Sequence, residues 1–175
     1  VILATAVMGK EDRENLGFFP LTVEYQEKYY AGGKIRGGRF LKREARPSDE
    51  AILNSRLIDR SIRPRFQEGL KREVQVIAAV MSWDGENDSD VLSLIASSAA
   101  LSVSNIPWSG PLGAVRVCKK DENLILNPSY EEQKDSDLNV VFVGLYEGKE
   151  FLINMIEGDC NEVDEKSVLD AYDLA

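Results

Sequence analysis

Ten lysines and arginines stand against four acidic residues between Gly32 and Phe66, GGKIRGGRFLKREARPSDEAILNSRLIDRSIRPRF, a net of +6. The 175-residue chain sums to −9, so everything outside this window carries −15 and the positive excess is local. A basic patch in an acidic chain points to an anionic partner. Glycines at 32, 33, 37 and 38 form a turn that leads into Phe40, Leu41, Lys42 and Arg43, with Arg46 three residues on. An aromatic ring beside cations suits single-stranded nucleic acid, because a base stacks on Phe40 while phosphates meet the charges. A solvated charged hairpin has the same composition.

A second set of cations follows on a helix. Pro47, then Ser48 as N-cap with Asp49 and Glu50 in the first turn, starts it, and Pro64 stops it. Arg56, Arg60 and Arg63 recur at helical spacing and share one face, a possible secondary anion-binding stripe. Asp59 lies three residues from Arg56 and four from Arg63, so a salt-bridged helix surface accounts for the same spacing.

Catalytic groups are sparse. There is no histidine, which removes the usual general base, the Ser-His and Cys-His pairs and the commonest metal ligand. Cys118 and Cys160 lie far apart without metal-ligand spacing and read as free thiols in a reducing compartment. Asn87-Asp88-Ser89-Asp90 reads as a helix N-cap ahead of metal binding, and Ser97-Ser98 as packed mid-helix serines ahead of a nucleophile. No catalytic and no metal-ligating residue is assigned.

The elements around these residues follow from periodicity. Val1 to Met8 reads as a buried strand, and Leu21 to Tyr25 alternates as a half-buried strand pairing back on it. Glu73 to Ser82 is a nearly continuous apolar run typical of a central strand. Small and apolar residues from Val91 to Asn105 predict a buried helix. Gly113–Val117 with Asn123–Leu126, and Leu138–Leu145 with Phe151–Ile156, read as two hairpins. Glu162 to Ala175 is an acidic amphipathic helix. The chain opens without Met directly in an apolar run, which predicts a fragment beginning inside a strand, and no apolar run approaches the roughly 20 residues that span a bilayer. With 43% hydrophobic and 29% charged residues it reads as one soluble globular domain or slightly more.

The ordered blocks FFPLTVEYQEKYYAGGKI, FLKRE-ARPSD, RLIDRSIRPRF, EVQVIAAVMS and SDVLSLIASSAALSVSNIPWSGPLGAVRV give a more specific pointer. Together they resemble the first RNase PH-like core domain of the polynucleotide phosphorylase family, along nearly the whole chain. The resemblance implies an α+β fold of the RNase PH type (ribosomal protein S5 domain 2-like), a β-α-β sandwich with a mixed sheet covered by helices. It divides the chain into the core domain at 1–160 and the start of an acidic helical segment at 161–175.

What the resemblance implies for function is a 3′ to 5′ exoribonuclease that uses inorganic phosphate as co-substrate and releases nucleoside diphosphates. Such enzymes form homotrimeric rings, bind single-stranded RNA and can meet other RNA-degradation proteins. A bacterial cytoplasmic location follows, with an organellar version open, and no membrane partner. The family's phosphate pocket and Mg2+ belong to a second core domain, with a serine-rich turn and an Asp-x-Lys element. This chain has Asn87-Asp88-Ser89-Asp90 and Asn139-Val140-Val141 at those places, so the domain is expected to be non-catalytic and to supply ring architecture and an RNA grip through Phe40, Leu41, Lys42, Arg43 and Arg46. The alternative is a catalytically inert RNA-binding subunit of an exosome-like ring.

Overall fold

The computed structural model describes residues 1–13, 16–35, 46–121 and 123–175. Its middle layer is a pair of helices, α1 (Asp49–Ile62) and α2 (Asp90–Ser102), held between two sheets. The first sheet contains β1 (Ile2–Asp12), β2 (Leu21–Glu27) and β3 (Arg72–Val80). The second contains β4 (Gly113–Lys120), β5 (Asn123–Leu126), β6 (Leu138–Glu147) and β7 (Glu150–Cys160) in the order β5-β4-β6-β7, all antiparallel. A short α3 (Tyr130–Gln133) precedes β6, and α4 (Glu165–Leu174) covers the far face of the second sheet.

Alternation explains the layering. On β6, Val141, Val143 and Leu145 join the core that also holds Ile58, Ile62 and Leu94 of the helices. The intervening Leu138, Val140 and Phe142 pack with Ala171 of α4 on the other side. Because both faces are covered, β6 is apolar at nearly every position, as a strand buried on two sides requires. In α2 the small residues Ser93, Ser97 and Ser98 are buried, which lets the helix lie close to its neighbours.

The predicted strands, helices and hairpins are present, with two corrections: the first strand is not buried but lies at a sheet edge with Leu3 and Val7 exposed, and the pairing differs. Leu21 to Tyr25 does not pair with the first strand. The order is β1-β3-β2, with β3 antiparallel to β1 and parallel to β2. The most apolar strand takes the centre, where ladders on both sides satisfy its backbone: Val74, Val76, Ala78 and Val80 are all buried. The less apolar β2 is left at an edge, its core-facing residues meeting α1.

Ser48 caps α1 as expected, accepting from the Ala51 amide at 3.0 Å, and its hydroxyl donates to Glu27 at 2.8 Å. This ties the start of α1 to the end of β2. One close approach fixes the second sheet: a Cβ on Gly144 would stand 2.7 Å from the Leu152 carbonyl and 2.4 Å from the Phe151 ring, so only glycine fits at this irregular point of the β6–β7 ladder.

Candidate nucleic-acid interface

Of the five residues expected to grip RNA, Phe40, Leu41, Lys42 and Arg43 lie outside the described residues. Arg46 is described, exposed, two residues before the Ser48 cap of α1. It lines a half-open cavity of about 720 Å³ between the end of β2, the start of α1 and the Trp83 turn. Lys34 lines the same cavity. Neither cation has an ion pair among the described residues.

The arginine stripe on α1 divides. Arg63 grips Asp59 with two hydrogen bonds, 2.6 and 2.9 Å, and donates to the backbone carbonyls of Phe19 and Leu21 at 3.1 and 3.3 Å. Its guanidinium also lies over the Phe19 ring. It is a clamp between α1 and the entry to β2, already satisfied within the fold. Arg60 pairs with Glu157 of β7 at 2.6 Å, with both side chains about half exposed. Arg56 is exposed and has no ion pair among the described residues. Arg60 and Arg63 are thus ion-paired within the fold, while Arg56 has no such pair among the described residues.

Aromatic rings that sequence reasoning did not bring together line the cavity with Arg46. Trp83 and Tyr130 meet edge to face with centroids 6.1 Å apart, and Tyr25 forms part of the floor. The Tyr25 hydroxyl lies 2.7 Å from the Ser89 hydroxyl, and burial pushes its pKa up to about 12. Burial, with Asp88 and Glu50 nearby, takes Tyr130 up to about 12 as well. Glu50, at the cavity wall, is held above the ordinary carboxylate range, first by burial and then by repulsion from Asp88, Glu27 and Asp90. The three rings come from segments far apart in sequence, so no local motif marks them.

Behind this wall the N-terminus of α2 is closed by a buried network. Asp90 is 2% exposed, and its carboxylate receives Arg116 of β4 in a short ion pair. Arg116 also donates to the Asn139 amide oxygen at 2.7 Å and lies 3.8 Å from Asp88. Desolvation raises the Asp90 carboxyl despite this partner, with Arg116 acting to lower it. Ser89 spends its hydroxyl on Tyr25 and makes no side-chain cap, and the acidic turn caps the helix through its carboxylates instead, Asp88 accepting from the Asp90 amide at 3.2 Å and Asp90 from the Val91 amide at 2.5 Å. Ser97 bonds back to the Ser93 carbonyl, and Ser98 both donates to and accepts from the Leu112 backbone. Both are structural. Among the described residues no group of Cys, Asp and Glu is placed to hold a metal ion. No helix among them is long and apolar enough to cross a membrane.

Comparison with known proteins decides the family. Residues 1–107 match the model of the 3′ exoribonuclease family, domain 1, and residues 110–175 match its domain 2. The chain belongs to the 3′ exoribonuclease family. The junction between the two exoribonuclease matches falls in the loop from α2 to β4, yet residues from both parts share one core. Polyribonucleotide nucleotidyltransferases of Acidobacterium capsulatum and Rhodospirillum centenum are 53% and 50% identical to it over 99% and 98% of the chain. The chain spans only 21% and 24% of the length of those relatives. Among solved structures, rice (Oryza sativa) Rrp46 superposes with a TM-score of 0.75 at 13% identity, covering 98% of this chain and 75% of its own, which places both in one RNase PH-like α+β fold.

Proposed function

We propose that this exoribonuclease-family chain is the first core domain, residues 1–160, of a polyribonucleotide nucleotidyltransferase, with 161–175 beginning the next helical segment. The parent enzyme degrades RNA from the 3′ end by phosphorolysis, takes inorganic phosphate and Mg2+ in another domain, and works as a homotrimeric ring in the bacterial cytoplasm during mRNA turnover. This domain builds the ring and holds single-stranded RNA without doing the chemistry.

One observation carries the non-catalytic part. A phosphate dianion needs donors converging on it and no fixed negative charge beside it. At the N-terminus of α2 the guanidinium that could serve is Arg116, and Asp90, with Asp88 behind it, already neutralises it. At the Asp-x-Lys position, Asn139 is used as an acceptor for Arg116, while Val140 and Val141 are buried in the two cores. The RNA-holding part rests on the basic window and on Arg46 and Lys34 beside the described cavity.

The test is to incubate the purified chain with labelled poly(A), inorganic phosphate and magnesium. No nucleoside diphosphate should appear, whereas the whole protein should release it. Sustained release by the chain alone would overturn the assignment of an inert domain.

A further inference from the structure

We infer that the cavity beside Arg46 is a subsite for one nucleotide of single-stranded RNA, its base stacked on the Trp83 ring, which Tyr130 braces edge to face, its amino and imino donors facing Glu50 and Asp88, and its phosphate at Lys34 and Arg46. This deepens the RNA-holding role proposed above and rests on it. The cavity of about 720 Å³ falls in the size range of small-ligand sites, roughly 300–1,000 Å³, and exceeds what one nucleotide needs.

Its chemistry is mixed in a way that few ligands match. Trp83 and Tyr130 are 44% and 37% exposed, so their rings are accessible to a ligand, and single-stranded RNA is recognised largely by stacking splayed bases on such rings. The walls also carry carboxylates, Glu50 at the start of α1 and Asp88 before α2. A simple anion would be repelled by them and a simple cation by Lys28, Lys34 and Arg46, which line the same space. A nucleotide satisfies both, because its phosphate accepts and its base edge donates. The crowding that holds the Glu50 carboxyl high is relieved by an N–H donor placed among these groups. Guanine offers two adjacent donors, N1–H and the 2-amino group, to one carboxylate, whereas uracil offers a single imino N–H. The subsite therefore favours guanine over uracil.

Fluorescence anisotropy with labelled oligoadenylates carrying a single guanine or uracil at each position, measured on the whole protein that contains this chain, tests this. Trp83→Leu should weaken binding about 5- to 150-fold, the range of base–aromatic stacking, and Tyr130→Leu, which removes the ring that braces Trp83, should weaken it less, while Tyr130→Phe keeps that ring and should bind more tightly than Tyr130→Leu. Glu50→Gln should weaken the guanine oligonucleotide more than the uracil one and so shrink the guanine-over-uracil preference. Arg46→Ala should weaken all sequences equally and flatten the salt dependence by roughly 0.7 in log-log slope. Far-UV circular dichroism of each variant separates unfolding from lost contact, and quenching of Trp83 fluorescence by RNA, absent in Trp83→Leu, reports the stack directly. Wild-type affinity and base preference in folded Trp83→Leu, Tyr130→Leu and Glu50→Gln would overturn the subsite while leaving the RNA-holding role intact. Absence of RNA binding by the wild-type protein would overturn that role, and the subsite with it.

Discussion

Arg116→Met should be among the most destabilising single substitutions in this chain. The arginine side chain is 15% exposed and Asp90 3%, so the pair sits where water cannot take over if one partner leaves. Methionine keeps most of the packed length of arginine and removes its charge. Asp90 then retains only the Val91 amide at 2.5 Å as a donor, and Asp88 remains close by. Leaving a buried carboxylate uncompensated costs about 3–5 kcal/mol. With a urea m-value of about 2 kcal/mol/M, the unfolding midpoint should fall by about 1.5–2.5 M. Asp90→Asn is milder, because Asp88 stays within 3.8 Å of Arg116 and an amide oxygen can still accept. The double variant Arg116→Met/Asp90→Leu removes both charges and should recover much of the loss, which a double-mutant cycle in urea would report as coupling. The pH dependence gives an independent check. In Arg116→Met the folded-state pKa of Asp90 lies above its unfolded value. The penalty is therefore full at neutral pH and shrinks as pH falls through that folded value and the carboxyl protonates. A cost below about 1 kcal/mol at pH 7, or one unchanged on acidification, would refute the buried-pair reasoning.

Two further outcomes follow from the geometry. Tyr25 and Tyr130 ionise near 12 in the folded chain against 10.0 for free tyrosine, so the unfolded state loses those protons first; stability should decline as pH rises from about 10 to about 12, and two of the six tyrosines should titrate late by ultraviolet absorbance. Gly144→Ala should cost about 1–3 kcal/mol in thermal or urea unfolding, because its Cβ would meet the Leu152 carbonyl and the Phe151 ring, and neutral behaviour would show that β7 moves aside freely.

The elements of this fold were legible because each carries its own local signal: the Ser48 cap, the alternation in β2, and the apolar runs of β3 and β6. Partner choice was not, since alternation tells which face a residue takes and not which strand lies alongside. That is why β2 was expected against β1, although β3 lies between them. Arg63 illustrates the same limit on a helix, where spacing placed it on a face with Arg60 and within reach of Asp59 but could not show that the Phe19 and Leu21 carbonyls take its remaining donors. Arg116 was missed although a signal existed: a lone arginine in the apolar strand GAVRVC must find a buried acid, and Asp90 in the first turn of the preceding helix is the obvious candidate. Trp83 and Tyr130 had no such signal.

The acidic body of the chain constrains how any RNA is held. Of the arginines outside the glycine turn, Arg13, Arg60, Arg63, Arg65, Arg72 and Arg116 are each paired with a carboxylate of this chain. Their charges are locally cancelled and add little to the field that reaches an incoming phosphate. The other two described arginines, Arg46 and Arg56, are left without such partners among the described residues, both within the basic window, which also holds Lys34. At physiological ionic strength a charge acts over about 8 Å, so the surplus of −15 elsewhere does not abolish attraction at this window, but it offers no long-range steering either. Binding that depends on a few unscreened cations is weak for one copy, and affinity has to come from short-range stacking and from several copies acting on the same strand. A ring that brings its basic windows together around one RNA would meet both requirements, which is why the proposed subsite beside Arg46 and the proposed assembly belong to a single account of how an acidic chain would hold a polyanion.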